Sequence, residues 1–439
     1  MFRMKNSLKI NFLSTLANVL SCILIASSGI IINLILGKFY DTEVVGAFNQ
    51  VASYYIIMSH FGGIGIHYSI LHKIAILDLG KREAVEIKKI LWAALLGASI
   101  ISSFFTIVGY SVLWILESYT VISSQIFIAG LWILPALPFY TFNRVLLNAV
   151  NASKDLNGYA FFALGRHVLL ILNLSLFIFF NVSPYRFTCI FSISELILFF
   201  LFVFYLRIYK IKASVFKGIK KVIQQHFSFG LKALLNGVVS ELNTKVDIII
   251  LSLFSDISTV GIYSLVANIY EGLLQICFAI RNITNPHIAI NLFKNKKNEL
   301  RKYLHKIMSV TSVGILFFCI AVIFSYPEIC IIILNDKIYL KGYSSLIILL
   351  SSLAFSSGFL IIDMIFIQAG MPSLQSYLKL SSFVINIIIN LLLVPALGMA
   401  GAAIGTAFSL IFSVFLQEFF IRRYLLFNLF PSRKMVNKK

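Results

Sequence analysis

Long apolar runs separated by short polar stretches make up most of this chain. A helix needs roughly 20 mostly apolar residues to cross the hydrocarbon core of a bilayer, and about twelve runs meet that requirement. They lie near residues 11–36, 47–72, 90–115, 123–147, 160–181, 187–206, 229–253, 261–289, 307–325, 344–366, 377–394 and 400–421. The pattern predicts an all-α integral membrane protein in which each run forms one transmembrane helix.

The composition excludes a soluble domain. Hydrophobic residues make up 59% of the chain and charged residues 12%, with a mean hydropathy of +0.92, whereas soluble domains carry roughly twice that share of charge. The first apolar run is too long for a signal peptide and leads directly into a second, so we expect it to remain as a span. The five cysteines show no Cys-x-x-Cys spacing. They predict small core residues, and no metal ion or other cofactor is expected.

The 37 Lys and Arg residues indicate the orientation of the spans. Cytoplasmic loops of membrane proteins collect Lys and Arg. With the N-terminus inside, 28 of the 37 fall in inside segments, 4 in outside loops and 5 within the spans. Both termini are therefore predicted to be cytoplasmic, and the net charge of +20 is explained by topology without a nucleic-acid partner. No phosphate-binding Gly-rich loop with Lys-Ser/Thr occurs, so we expect no ATPase.

The chain repeats itself at an offset of 215 residues. A segment that starts at Asp41 and ends at Tyr55 recurs, with the same spacing of Val, Gly and Ala, between Asp256 and Tyr270. Six predicted spans separate the two copies, so both cross the membrane in the same sense, as in transporters built from parallel repeats. We predict an N-terminal six-helix lobe (1–206), a cytoplasmic linker (207–228), a C-terminal six-helix lobe (229–421) and a basic cytoplasmic tail (422–439).

Ionisable residues at span depth are the candidate functional residues, because each costs about 2.5–3.5 kcal/mol to insert unless it faces water or a partner. Glu241 and Lys245 stand one turn apart on the seventh span, and they either form an ion pair or line a cavity. Arg144, Lys232 and Arg281 lie near the inner ends of their spans, where they either extend to the lipid headgroups or contact an anionic substrate. Arg166 lies further into its span, so extension to the lipid headgroups explains it less easily. The remaining members of the set are the acids Glu195, Asp247, Glu271 and Asp363.

Two smaller features lie in the second predicted span. His60 and His67 are seven residues apart and share a helix face, where packing or hydrogen bonding is the expected role because no third metal ligand is near in sequence. Gly62, Gly63 and Gly65 predict close helix packing or a local break in the span.

Three segments resemble signatures of polysaccharide exporters. Asp247 followed by residues 260–264 is similar to the seventh-to-eighth-span signature, residues 390–406 are similar to the eleventh-to-twelfth-span signature, and residues 61–65 fall at the Gly-rich second span. Together with twelve spans in duplicated halves, they make the whole chain resemble the multidrug/oligosaccharidyl-lipid/polysaccharide (MOP) exporter superfamily. The nearest branch would be the O-antigen (Wzx-type) flippases. The resemblance implies a MATE-like MOP-exporter fold of two parallel-repeat six-helix bundles.

The resemblance further implies translocation of an undecaprenyl-pyrophosphate-linked oligosaccharide from the cytoplasmic to the periplasmic leaflet, by alternating access around a cationic cavity. Basic side chains lining that cavity would lower the cost of bringing the anionic pyrophosphate to mid-membrane. The substrate-binding candidates are Arg166, Lys245, Arg281, Arg144 and Lys232. Without an ATP site, ion coupling is the hypothesis for the driving force, and its candidate carriers are Asp247, Glu271, Asp363 and Glu241.

Two other functions remain open at this point. A multidrug (MATE-type) cation antiporter would want a cavity with net acidic character, and the equal number of acids and bases at span depth does not decide against it. A membrane-embedded O-antigen polymerase or ligase would present catalytic residues on a long outside loop, which this sequence does not contain, so we expect a transporter and no enzyme. The implied location is the bacterial inner membrane, with a glycan polymerase and a chain-length regulator as candidate partners.

Overall fold

The protein is described by a computed structural model, which covers residues 12–78, 84–153, 155–207, 216, 218–294 and 296–425. Within these residues the regular elements are helices. The α-helices are α1 (Phe12–Phe39), α2 (Thr42–Gly63), α3 (Ile66–Asp78), α4 (Ala84–Ser118), α5 (Ser124–Ile133), α6 (Ala136–Ala152), α7 (Leu156–Phe179), α8 (Cys189–Leu206), α9 (Ile219–Phe254), α10 (Ile257–Phe293), α11 (Lys297–Glu328), α12 (Tyr343–Leu360), α13 (Ile365–Gln368), α14 (Pro372–Leu397) and α15 (Met399–Phe420). Short 3₁₀ or π segments occupy Pro184–Arg186, Ile329–Ile333, Lys337–Gly342 and Ile421–Leu425.

Twelve helical segments follow one another at the predicted positions, because α2–α3, α5–α6 and α12–α13 each form one interrupted segment. Nine stretches of the described residues are long and apolar enough to cross a membrane. The other three segments, α1, α2–α3 and α9, stand where the first, second and seventh spans are expected. The predicted all-α membrane fold of six plus six spans is confirmed.

The break between α2 and α3 lies at the predicted Gly-rich site. Ile64 and Gly65 both have positive φ, at +36° and +64°, a backbone conformation that glycine adopts readily and a β-branched residue rarely does. Gly230 of α9 packs directly on this break: a Cβ added to Gly230 would lie 2.1 Å from the carbonyl oxygen of Ile64. The absence of a side chain at both glycines is what allows the two backbones to approach this closely.

The two repeat copies play the same structural part. Helix α2 begins directly after Asp41, and α10 begins directly after Asp256. The Asp256 carboxylate caps α10 by accepting the backbone N–H of Thr259 at 3.3 Å. An aspartate at this position satisfies one of the free amides of the first turn, which explains why it opens the repeated segment.

The chain divides into two compact units, one made of Met1–Ile32 and Val44–Glu241 and the other of Asn33–Glu43 and Leu242–Lys439, each in its described part. The core of the first unit gathers Ile70, Leu146 and Phe202 from α3, α6 and α8, and that of the second gathers Leu300 and Phe366 from α11 and α13. The lobe boundaries stay a prediction. Residues 208–215 and 217 of the predicted linker and 426–439 of the predicted tail lie outside the described residues, as do the first eleven residues.

Candidate functional site

Arg144, on α6 of the first unit, lies between the two histidines of the broken second span. Its Nη1 donates to Nδ1 of His60 at 3.1 Å and its Nη2 donates to Nε2 of His67 at 3.1 Å, while the ring of Tyr140 lies 5.6 Å away. A guanidinium can only donate, so the ring nitrogens that face it are unprotonated acceptors. No carboxylate bonds Arg144 among the described residues, and its positive charge is therefore held in place without being neutralised.

Arg166, on α7 of the same unit, is neutralised instead. Its Nε donates to Oε1 of Glu195 at 2.5 Å, and the guanidinium also lies 4.4 Å from the ring centre of Tyr140. Glu195 is 0% exposed, and its second oxygen accepts the amide N–H of Asn143 at 2.7 Å. The neighbouring His167 contacts the hydroxyl of Ser28 at 2.7 Å. This predicted substrate-binding cation is therefore paired with a buried carboxylate.

In the second unit, Lys245 of α9 pairs with Glu271 of α10. The Nζ lies 2.6 and 2.8 Å from the two carboxylate oxygens. A predicted cavity cation and a predicted coupling acid are thus each other's partners, on adjacent helices. The side chains of Lys232 and Glu241, two other predicted site residues, lie outside the described part of the structure, so the expected pairing of Glu241 with Lys245 stays a prediction.

Asp247, also on α9, is held by neutral groups. It is 4% exposed. One oxygen accepts the hydroxyls of Tyr263 at 2.7 Å and Thr406 at 3.2 Å, and the other accepts the backbone N–H of Ile248 at 2.8 Å. No Lys or Arg forms a salt bridge with it among the described residues. A buried carboxylate without a bound cation is the group whose charge changes most readily when a proton or metal ion arrives.

Asp363, near the end of the interrupted tenth span, is shared by two cations. Arg281 of α10 donates to its carboxylate at 3.1 Å, and Lys379 of α14 donates to it at 2.7 Å. Two positive charges on one carboxylate leave this cluster with an excess of one positive charge. The partner that the sequence leaves open for Asp363 is thus found on two other helices.

Polar atoms without partners surround this second cluster. Among the described residues, Nε of Arg281, Oδ1 of Asn285 and both amide atoms of Gln375 are buried without a hydrogen bond. A buried polar atom that is left unbonded costs about 1–3 kcal/mol, so these groups are available to a polar ligand or to water. Lys379 and Gln375 are the residues that sequence reasoning misses here: Lys379 counts as an inside-loop charge by sequence, although it lies two turns into α14.

The span-depth groups therefore sort into three kinds. Arg166 and Lys245 are neutralised one to one, Arg144 and the Arg281 cluster keep a positive charge, and Asp247 keeps a carboxylate without an ion pair. Across the described residues, no group of three or more His, Cys, Asp or Glu is arranged to hold a metal ion. The groups that keep a positive charge can bind an anion, and the unbonded side-chain atoms near Asp363 can form hydrogen bonds with polar groups.

Comparison with known proteins gives the context of these groups. Residues 13–289, more than half of the chain, match a family described as "Polysaccharide biosynthesis protein". An uncharacterized membrane protein of Methanocaldococcus jannaschii is 26% identical over 230 residues, which are 50% of this chain and 42% of that protein. The match thus spans less than half the length of this curated relative.

Solved structures with a similar fold are transport proteins. The lipid II flippase MurJ in an inward closed conformation has a TM-score of 0.72 at 17% identity, over 94% of this chain and 88% of that one. An inward-facing multidrug resistance MATE family transporter of the MOP superfamily has a TM-score of 0.67 at 14% identity, over 92% of this chain and 94% of that one. At such identities the likeness shows the fold alone, and that fold is the predicted one.

Proposed function

Because this chain belongs to the polysaccharide biosynthesis protein family and has the fold of the MOP exporters, we propose that it is a flippase for an undecaprenyl-pyrophosphate-linked oligosaccharide. It would carry this lipid-linked glycan from the cytoplasmic to the periplasmic leaflet of a bacterial inner membrane by alternating access. An O-antigen or similar surface glycan unit is the proposed cargo. A glycan polymerase and a chain-length regulator are the proposed partners.

The observation that supports this function most directly is the unneutralised Arg144. A guanidinium at span depth costs several kcal/mol to keep there, yet its two histidine partners at 3.1 Å orient it without cancelling its charge. Such a group gains most when an anion arrives, because a phosphate oxygen accepts its N–H groups in a charge-assisted bond. A pyrophosphate headgroup supplies that anion.

The second unit offers a matching but different set of groups. Arg281 and Lys379 share Asp363, and the unbonded amide of Gln375 and carbonyl of Asn285 supply a donor and acceptors for sugar hydroxyls. We infer that this cluster gives the second unit its own binding groups for an anionic headgroup that carries sugars. Arg166 and Lys245 then act through their carboxylate partners, by keeping those carboxylates from competing with the anion.

Ion coupling is the proposed source of driving force, with Asp247 as its first carrier. Among the described residues its carboxylate is bonded only by Tyr263, Thr406 and a backbone N–H, so a proton or a sodium ion can neutralise it without first breaking an ion pair. Glu271 and Asp363 would have to release Lys245 or Arg281 before taking up an ion. We therefore place Glu271 and Asp363 behind Asp247 as carriers of the coupling ion.

The alternative function, a multidrug cation antiporter, is favoured by the unpaired carboxylate of Asp247 but opposed by the excess positive charge at Arg144 and around Asp363. A drug cation would meet like charge at both places. One assay distinguishes the two functions, because the same vesicles can be loaded with a lipid-linked sugar or with a cationic dye.

The decisive experiment uses purified protein in vesicles that contain a fluorescent undecaprenyl-pyrophosphate-linked sugar. We expect the protein to move this probe between leaflets, as read by its access to an external quencher, and to leave a cationic dye untransported. Transport of the dye alone would establish the antiporter, and transport of neither would overturn the proposal. A proton or sodium gradient should speed the transfer; equal rates with and without both gradients would remove ion coupling while leaving the flippase.

A further inference from the structure

A groove of about 750 Å³ runs along the second unit between α11 and α15, with α12 as its floor. Gly358 forms part of that floor, where a Cβ would lie 2.8 Å from the hydroxyl of Ser312. The body of the groove is apolar. It is lined by Val313, Phe355, Phe359, Val414, Phe415 and Phe419.

One end of the groove is polar. It is lined there by His305 from the first turns of α11, Glu418 from the end of α15 and Arg422 from the π segment that follows α15. Arg422 donates to Oε1 of Glu418 at 2.6 Å. The other carboxylate oxygen of Glu418 is buried and has no hydrogen-bond partner among the described residues. The polar end thus combines an exposed cation with a carboxylate that still needs a donor.

The position of this polar end follows from the orientation of the helices. The start of α11 and the segment directly after α15 carry Lys and Arg residues that predict the cytoplasmic side. The groove therefore begins at the level of the inner headgroups and continues among the hydrocarbon tails. A groove that is charged at one end and apolar along its length matches a single lipid, which has a charged headgroup and an apolar chain.

The charges at the polar end select among lipids. Arg422 offers N–H groups to a phosphate, and the unbonded oxygen of Glu418 calls for an N–H donor beside it. A phosphoethanolamine headgroup supplies both a phosphate and a primary ammonium. A phosphocholine headgroup has no N–H to donate, and an anionic headgroup places its charge next to the Glu418 carboxylate.

We propose that this groove binds one ethanolamine phospholipid of the inner leaflet, with its phosphate on Arg422, its ammonium on Glu418 and one acyl chain along the phenylalanines. The volume supports a single chain: at about 30 Å³ for a group the size of a water molecule, the groove holds roughly 25 such groups. An undecaprenyl chain is too long for this space. The site is separate from the clusters around Arg144 and Asp363, so it stands whether or not the proposed transport is correct.

Native mass spectrometry of the purified full-length protein tests the site, with phosphatidylethanolamine, phosphatidylcholine and phosphatidylglycerol of identical acyl chains as probes. We expect the ethanolamine lipid to bind at least five-fold more tightly than either of the others. Ser309→Phe places a ring in the groove from an exposed position and should abolish this preference. The matched control is Val310→Phe, which changes an exposed neighbour on α11 outside the groove and should leave binding unchanged.

A second variant tests the headgroup assignment. Glu418→Gln removes the carboxylate that receives the ammonium, so the preference for ethanolamine over choline should fall close to one. Equal binding of the three lipids by the unaltered protein, or ethanolamine lipid bound equally well by Ser309→Phe, would overturn the proposal. Preferred binding of undecaprenyl phosphate would assign the groove to the substrate tail, and a dimer that Ser309→Phe dissociates would assign it to a second copy; either result also rejects the phospholipid.

Discussion

The hydroxyl oxygens of Thr42 and Ser258 lie 2.6 Å apart. Each residue stands within two positions of the aspartate that opens one copy of the repeated segment, at the first turn of α2 or of α10. The two copies thus meet through the residues that begin them. Both residues belong to the second of the two compact units, so this contact joins the two repeat copies within one unit.

A cysteine pair at these positions tests whether the contact parts during transport. Thr42→Cys combined with Ser258→Cys should form a disulfide on oxidation, because the two hydroxyl oxygens that the sulfurs replace are already in contact. Because the contact lies within one compact unit, we expect the oxidised protein to transport the fluorescent lipid-linked sugar as fast as the reduced protein. The single variant Thr42→Cys is the control. A fall of five-fold or more that reductant reverses would show instead that this contact parts during the cycle.

Arg144 is expected to be the most sensitive basic residue of the first unit. Arg144→Ala removes a cation that no described carboxylate neutralises, so transport should drop at least ten-fold while membrane insertion stays normal. Arg144→Lys keeps the charge but loses the two-pronged geometry, and should retain a fraction of the activity. Arg186→Ala, at a cation packed 5.9 Å from the ring of Trp132, should have no effect. Normal transport by Arg144→Ala would reject this residue as part of the site.

Substitutions in the Lys245–Glu271 pair distinguish an effect on stability from an effect on transport. Lys245→Ala leaves the Glu271 carboxylate without its partner, and breaking a buried pair costs about 3–5 kcal/mol, so thermal unfolding in detergent should occur at a clearly lower temperature. Replacing both residues with Met removes both charges and should recover most of that stability. We expect transport by the double variant to remain below about a tenth of normal. A fully active double variant would make the pair purely structural.

Gly230 is expected to tolerate no side chain. In Gly230→Ala the new methyl group would sit 2.1 Å from the Ile64 carbonyl oxygen, so α9 must move away from the α2–α3 break at a cost of about 1–3 kcal/mol. Gly314→Ala is the matched control, since nothing lies within 4 Å of its added Cβ and alanine favours a helix over glycine by up to about 1 kcal/mol. Thermal unfolding should separate the two, with only the first destabilised. Equal stability would mean that the Gly230 contact is not made.

His226, on α9 just before the predicted seventh span, gives the protein a pH dependence. Burial, and then the nearby Lys73, lower the pKa of this histidine to about 4, against a small opposing effect of its bond to the Ile90 carbonyl. The unfolded chain binds the proton near its ordinary pKa of 6.5, so protonation favours unfolding. Stability from this group should be complete above pH 6.5 and decline as the pH falls towards 4. In His226→Gln the decline in unfolding temperature across this window should shrink, while exposed His287→Gln should behave like the unaltered protein.

The fold could be predicted from the sequence because its two strongest signals are local and repeated. Runs of about 20 apolar residues have no soluble alternative, and the offset between Asp41 and Asp256 relates the two halves without any knowledge of packing. The break at Gly65 was likewise readable, since a glycine cluster within a span indicates either close packing or a change of backbone direction.

The pairing of the charges could not be predicted, because it depends on which helices are neighbours. Sequence spacing places Glu241 beside Lys245 on one helix, but the structure brings Glu271 to Lys245 from the next helix. Lys379 looks like a loop residue until α14 is seen to begin at Pro372, which carries this lysine into the bundle and onto Asp363. Which predicted cations are free and which are neutralised is therefore a property of the tertiary structure.

The interrupted second span also has an electrostatic consequence. Peptide dipoles add along a helix, so its first turn carries about half a unit of positive charge, from amides that have no acceptor within the helix. Because α3 begins anew at Ile66, that partial charge arises deep in the chain's hydrophobic span, at His67 and hence beside Arg144. Helix α2 ends at Gly63, so its carbonyl end places the opposite partial charge at the same break. The two backbone ends together bring hydrogen-bond donors and acceptors to span depth, and no side-chain substitution can remove that contribution.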